Sequence, residues 1–200
     1  MIIIGLTGSI GMGKTTTAGL FAARGIPVFD ADAEVHRLYA GPLAQAVEAA
    51  FPGVVDDGRV NRVKLAERVS GNRDALARLE AIVHPVVHAA EKAFIDKARQ
   101  DGAPAALLDI PLLFETGRDR DVDCTVVVSA PDEIQRARVL ARPGMTEDRL
   151  ASILSRQMPD ADKRSRADHV IDTSQGIEAA AGAVERLLAE IAGGKGRISG

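Results

Sequence analysis

Gly8-Ser9-Ile10-Gly11-Met12-Gly13-Lys14-Thr15 decides the reading of this 200-residue chain. The stretch satisfies G-x-x-x-x-G-K-[ST], and its flanks are the ones such a loop requires. Ile2-Ile3-Ile4-Gly5-Leu6 before it reads as a buried strand, and Thr15 to Ala23 after it can continue as a helix. Glycines without a Cβ let backbone N–H groups face phosphate oxygens. The helix N-terminus adds partial positive charge, and Lys14 adds a full one. Residues Gly8 to Thr16 are therefore the expected seat of a nucleoside triphosphate, and Thr15 offers the hydroxyl that joins the Mg²⁺ shell in such loops. A glycine-rich turn without a ligand is the competing account; Lys14-Thr15 and both flanks argue against it.

Composition sets the frame. Two hundred residues suffice for one α/β domain with a real core and a small appended subdomain. No apolar run approaches the ~20 residues a membrane helix needs. Met1-Ile2-Ile3-Ile4 lacks the basic segment of a signal or transit peptide. The single cysteine, Cys124, lies in an apolar run and reads as a buried strand position, which fits a reducing cytoplasm. A net charge of −3, dispersed basic residues and the absence of Trp give no footprint for nucleic acid.

Strand-like and helix-like segments alternate, the pattern of a parallel sheet covered by helices on both faces. Strands are expected at the start, at Ile26 to Phe29, Ala105 to Ile110, Asp123 to Val128 and His169 to Asp172. A long helical region runs from about Ala33 to Arg99, punctuated at Gly41-Pro42, Pro52-Gly53, Asp57-Gly58 and His84-Pro85, the last read as an interruption. A helical hairpin is expected over Thr146 to Arg166, after the break at Arg142-Pro143-Gly144. The expected division is a core of residues 1–31, 103–141 and 166–192, a helical excursion over 32–102, a lid over 142–165 and a frayed tail over 193–200. Ligands of open α/β sheets bind beyond the carboxyl ends of the strands. That rule brings the glycine loop, Asp30, Asp32, Asp109 and Pro111 to one edge.

The loop does not say what happens to the phosphate. A GTPase should carry Asn-Lys-x-Asp after a late strand, and none is present. A motor ATPase should end a strand with an acidic pair, which Asp109-Ile110-Pro111 does not supply. A small-molecule kinase needs a base for the acceptor hydroxyl and arginines on a mobile flap. Asp32 can be that base, or it can cap the helix beginning at Ala33. Arg142 can fold onto the phosphates, or remain a solvated helix-end residue. His84 reads most simply as a kink residue. Glu115 suits a substrate wall and a surface position equally. His36, His88 and His169 lack the company of a metal site.

Together these stretches resemble the dephospho-coenzyme A kinase family. Gly5-Leu6-Thr7-Gly8, the loop, Asp30-Ala31-Asp32, His84-Pro85, Asp109-Ile110-Pro111-Leu112-Leu113-Phe114-Glu115 and Arg142 occur in the family's order. So do Gln157, Lys163 and Ala167-Asp168-His169-Val170-Ile171-Asp172, and the resemblance spans about Ile3 to Asp172. It implies transfer of the ATP γ-phosphate to the ribose 3′-hydroxyl of dephospho-coenzyme A, the final step of coenzyme A synthesis, with Mg²⁺. The implied fold is a P-loop kinase core with a helical substrate subdomain and a lid. By position the resemblance makes Asp32 the base, Lys14 and the loop amides the phosphate cradle, and Arg142 a lid arginine. Arg62, His84, Leu112 and Glu115 fall on the acceptor side. The chain departs from the family in Met12 and Thr15 of the loop, and in Ile153 where relatives place a lid arginine, which Arg149 or Arg156 can replace. A kinase for another nucleoside hydroxyl and a nucleotide-binding module that contacts a protein partner are the alternative readings.

Overall fold

β1 (Ile2–Thr7) is the buried centre of a five-stranded parallel sheet in the computed structural model, which describes residues 1–193. After it come α1 (Lys14–Ala22), β2 (Val28–Asp30), α2 (Ala31–Tyr39), α3 (Ala44–Ala50), β3 (Val55–Asp56) and β4 (Arg59–Val60). Next are α4 (Arg62–Val69), the long α5 (Arg73–Gln100) and β5 (Ala105–Asp109). The chain closes through β6 (Cys124–Ser129), α6 (Asp132–Leu140), α7 (Glu147–Leu154), α8 (Asp160–Arg166), β7 (His169–Asp172) and α9 (Ile177–Ala192). The tail expectation for residues 194–200 lies outside the described residues.

The sheet order is β2-β5-β1-β6-β7. β1 pairs in parallel with β5 and β6, and β6 with β7, so Thr7, Asp109, Ser129 and Asp172 end on one edge. Strands buried on both faces read as near-continuous apolar runs, which is how β5 (Ala-Ala-Leu-Leu-Asp) and β6 (Cys-Thr-Val-Val-Val-Ser) are written. Two compact units divide the chain: Met1–Phe29 with Ala98 onward, and Asp30–Lys97. In the first, one sheet face packs Ile4, Leu6, Leu107 and Val126 against Phe21 of α1 and Val184 and Leu187 of α9. On the other face Gly5 leaves room for Leu113 and Val122. Cys124 is buried in that core; burial, then the charges of Asp168, Asp123 and Glu190, pushes its thiol up to about 12, so it is not a nucleophile.

The second unit is helical around its own core of Leu38, Leu43, Val47, Phe51, Leu65, Leu79 and Val83. Two sequence expectations change here. Asp57-Gly58 is not a helix break but the tip of a β3–β4 hairpin, with both residues at positive φ (48° and 75°), the geometry of a tight two-residue turn. His84-Pro85 does not interrupt the helix: α5 is continuous over 28 residues with Pro85 inside it. An interior proline, here on the exposed side of the helix, costs one hydrogen bond and roughly 3 kcal/mol. The apolar stripe of Leu79 and Val83 continues toward Val86 and Val87 and offsets that cost through packing.

Gly8 tests how tightly the first unit is built. A Cβ there would lie 2.3 Å from Val128 Cγ2 and 2.9 Å from the Val128 carbonyl oxygen. Backbone cannot move aside as a flexible side chain can. Gly8→Ala is expected to destabilise by about 1–3 kcal/mol, lowering the melting temperature by roughly 2–4 °C per kcal/mol. An unchanged melting temperature would show that the sheet edge yields more easily than this packing requires.

Candidate active site

The phosphate loop is held from outside itself. Gly11 adopts φ +81°, and a Cβ on it would meet Val139 Cγ2 at 2.5 Å, so α6 lies directly behind the loop. Gln135 of α6 donates Nε2–H to the Ile10 carbonyl at 2.8 Å, and the Ile10 N–H donates to Gln157 Oε1 at 3.1 Å. Thr173, just past β7, donates its hydroxyl to the Met12 carbonyl at 2.9 Å. The Met12 side chain is buried, and its sulfur accepts the Ala130 N–H at 3.1 Å. Met12 is therefore a packing residue of the loop as well as a backbone donor position. Beyond Gly13, which caps α1 in the left-handed conformation, Lys14 places its ammonium against the buried carboxylate of Asp109. Ser9 is buried, and Thr15 and Thr16 are exposed at the start of α1.

Beside the loop, Gly11, Gly13, Thr16, Arg138, Arg142 and Ile177 line a cavity of about 290 Å³. Arg138 donates to the Thr173 hydroxyl at 2.9 Å and to its carbonyl at 2.7 Å. Arg142, four residues on, is exposed just past the C-terminus of α6. The cavity thus combines two guanidinium groups, the first turn of a helix and an exposed apolar side chain, Ile177. Charge for phosphate and an apolar platform for a base are what a nucleotide requires. Sequence reasoning found Arg142 and missed Arg138; a second arginine four residues before the first, near the end of a helix, was the available signal. It also placed Asp109 on the edge without a role.

The helical unit carries a separate cavity of about 930 Å³. Asp32, Val35, His36 and Tyr39 face it from α2, with Arg62, Leu65 and Val69 from α4. Asp30, not Asp32, caps α2: its Oδ1 accepts the Ala33 N–H at 2.9 Å. That leaves the Asp32 carboxylate exposed in the first turn, directed to the cavity rather than to the helix end. Arg62 opens α4 behind its cap Asn61, and its guanidinium meets His36 Nε2. The structure thus gathers Asp32 and Arg62 and adds His36 and Tyr39, which sequence reasoning passed over. Their spacing of four and seven residues from Asp32 marks one helix face.

The remaining acceptor-side expectations are not among the residues that line this cavity. His84 is exposed on α5, its ring edge-on to His88 at 6.5 Å, and does not line the cavity that holds Asp32. Leu112 is 38% exposed in the turn after β5. Glu115, three residues on, is neither a surface carboxylate nor an open one. Its Oε1 lies 2.8 Å from the Nζ of Lys163, a lysine with no exposed side-chain surface, and accepts the Met158 N–H at 2.8 Å. Arg149 is tied to the Gly144 carbonyl, and Arg156 is exposed. Among the described residues no three His, Cys, Asp or Glu side chains cluster as a metal site, and no helix is long and apolar enough to cross a membrane.

A parallel sheet with a G-x-x-x-x-G-K-T loop at its edge, an aspartate against the loop lysine and arginines along a cleft beside the loop define a P-loop kinase. The sequence model of the family described as dephospho-CoA kinase matches residues 2–179. The chain is 58% identical over 196 residues to the dephospho-CoA kinase of Mesorhizobium japonicum, covering 98% of this chain and 100% of that one. It is also 58% identical over 191 residues to that of Brucella melitensis, with 96% and 94% covered. A solved structure from Thermus thermophilus superposes with a TM-score of 0.81 at 35% identity, covering 100% of this chain and 98% of that chain. The fold alone is shared with dephospho-CoA kinase from Campylobacter jejuni, at a TM-score of 0.66 and 21% identity over 94% of this chain and 96% of that one. The chain belongs to the dephospho-CoA kinase family.

The Glu115–Lys163 pair gives the site a measurable pH signature. Burial alone would raise the Glu115 pKa; hydrogen bonds from Lys163 and the Met158 N–H outweigh it and hold the carboxyl below its ordinary 4.5. A carboxylate depressed on folding stabilises fully above its unfolded pKa, and that contribution fades as pH falls through the folded value. Glu115→Gln is therefore expected to be less stable than wild type at neutral pH by about 3 kcal/mol, because Lys163 stays buried without its partner. The gap should shrink below pH 4.5, where wild-type Glu115 also becomes neutral. Urea midpoints from about pH 3 to 7 measure it; a gap independent of pH would remove the ion pair as its cause.

Proposed function

We propose that this chain transfers the γ-phosphate of ATP to the ribose 3′-hydroxyl of dephospho-CoA. The observation that carries the reading is the phosphate loop with Lys14 seated against Asp109, in a chain of this family. The triphosphate lies along the loop from Gly8 to Thr16, on those of its amides that no other group of the protein engages. Lys14 exchanges its carboxylate partner for β- and γ-phosphate oxygens, and the base lies in the cleft of Arg138, Arg142 and Ile177. The lone pair of the acceptor oxygen forms the new P–O bond, the bond to the bridging oxygen breaks, ADP leaves, and the hydroxyl proton passes to Asp32.

The residues present suit Mg²⁺ in the shared-ligand form that P-loop enzymes use. Thr15, with an exposed hydroxyl at the start of α1, and Asp109, with a carboxylate at the end of β5, would hold the ion together with the phosphates. When bound, the ion neutralises charge that develops on the phosphates. Arg62 in the helical unit is proposed to meet the anionic pyrophosphate of the acceptor, as a guanidinium suits phosphate. Leu112 is proposed as an apolar contact on the same substrate. Glu115 shapes the wall beside it through Lys163, and His84 has a structural part in α5. The segment Arg142-Pro143-Gly144 with α7 is proposed as the lid, closing to exclude water. The chemistry calls for no nucleic acid, membrane or protein partner and suits the cytoplasm, where a thiol such as Cys124 stays reduced.

The test is ADP release with ATP and Mg²⁺, with and without dephospho-CoA, and mass spectrometry of the acceptor. One phosphate gained on the 3′-hydroxyl per ADP is the expected result. ADP release that ignores dephospho-CoA but responds to another nucleoside would overturn the acceptor assignment. Asp32→Asn should lower kcat by roughly 10²–10⁴ while leaving ATP affinity intact. Arg142→Ala should lower kcat more than it weakens ATP binding, because its contact strengthens as charge builds in transfer. Unchanged turnover in either variant would remove that residue from the mechanism.

A further inference from the structure

Both backbone polar groups of Ile10 are gripped by side-chain amides. Its carbonyl accepts from Gln135 Nε2 at 2.8 Å and its N–H donates to Gln157 Oε1 at 3.1 Å. The two glutamines differ in where they stand. Gln135 is buried in α6, behind the loop. Gln157 sits in the short connection between α7 and α8, and the residues C-terminal to it are firmly tied down. Met158 donates its N–H to Glu115 at 2.8 Å, Asp160 accepts the Ser129 hydroxyl at 2.7 Å, and Lys163 is buried against Glu115. On its N-terminal side stands α7, whose one buried residue is Leu150. Gln157 is thus the point where the weakly held arm meets its anchored base, and its carbonyl oxygen reaches the phosphate loop.

We infer that Gln157 is a positioning residue: it sets the shoulder of the phosphate loop for transfer and couples that shoulder to the arm carrying Arg149 and Arg156. The division within the loop supports this. From Met12 onward the loop has its own fastenings, to Thr173 and Ala130, and these serve the amides on which ground-state binding of the nucleotide depends. Ile10 lies upstream of them, and its N–H, engaged by Gln157, is not a phosphate ligand. Loss of the Gln157 acceptor leaves that N–H without its partner and Ile10 held by Gln135 on one side only, so that the segment between Ser9 and Gly11 can shift. Small misplacements of a reacting phosphoryl group are costly, about 10²-fold for 1 Å. Turnover, rather than nucleotide affinity, is therefore the quantity that Gln157 controls.

This inference rests on the kinase reading, and the experiment separates the two. Gln157→Met keeps the length of the side chain and removes the acceptor; Gln157→Glu keeps an oxygen for the Ile10 N–H. Amide hydrogen exchange at Ile10, ATP affinity by calorimetry, and the kcat and KM of acceptor-dependent ADP release are measured on both variants and wild type. Gln157→Met is expected to lose Ile10 protection and roughly tenfold or more in kcat, with ATP affinity and acceptor KM within about twofold of wild type. Gln157→Glu is expected to retain Ile10 protection. Wild-type kcat in Gln157→Met, or a loss of ATP affinity that matches the loss of turnover, would overturn the positioning role. So would Ile10 protection that is equal in all three proteins. Wild-type protein without acceptor-dependent turnover would instead overturn the kinase reading itself.

Discussion

A phosphate-binding loop must aim its amides at a polyanion before the polyanion arrives. Backbone that is rich in glycine does not hold such a shape unaided, since glycine loses the most conformational freedom on ordering. Here the restraint comes from residues far along the chain: Gln135, Gln157, Thr173 and the packing of Met12 and Val139. Most belong to the part of the first unit that lies beyond β6. Folding of that part, and not the local propensity of residues 8–13, supplies the preorganisation from which electrostatic binding and catalysis draw. Lys14 completes the arrangement. Held on Asp109, its ammonium is kept at the mouth of the loop and the buried carboxylate is not left without a counter-charge.

The sequence carried the sheet and the loop because both rest on local patterns. Ile2 to Leu6, Ala105 to Asp109 and Cys124 to Val128 are apolar runs too short for helices and bounded by turn residues, and each is a strand. The helical unit was less legible for physical reasons. Its hairpin is two residues per strand, below the length at which alternation can show, and only Asp57-Gly58 announced it. The proline in α5 obeys a local rule that tertiary packing overrode. Asp30 and Asp32 are chemically equivalent on paper; only the turn geometry decides that Asp30 takes the cap and Asp32 faces the cavity.

Side chains that act through the tertiary fold were the least visible. Arg138, His36 and Gln135 are ordinary helical residues until the elements that face them are known. Glu115 shows the opposite case: a charged residue next to a ligand edge invites a binding role, yet its oxygen is already committed to Lys163 and to the Met158 N–H. Its distance from Lys163 in sequence, across β6, α6 and α7, hides the pair completely.

That pair also explains which part of the segment from Arg142 to Lys163 can move. A lid must be loose enough to open and fixed enough to return to one closed position. The C-terminal part is fixed by a buried ion pair, a backbone hydrogen bond to the same carboxylate and the Ser129–Asp160 bond. The N-terminal part offers Leu150, a Thr146 cap and the exposed Arg136–Glu147 ion pair, and the last of these adds little in water. Motion is therefore expected to pivot near Ser155 to Gln157 at one end and at Gly144, with φ +73°, at the other. Arg142 stands just before the second pivot and Gln157 at the first, so the arm between them is the less restrained part while its base stays on the phosphate loop.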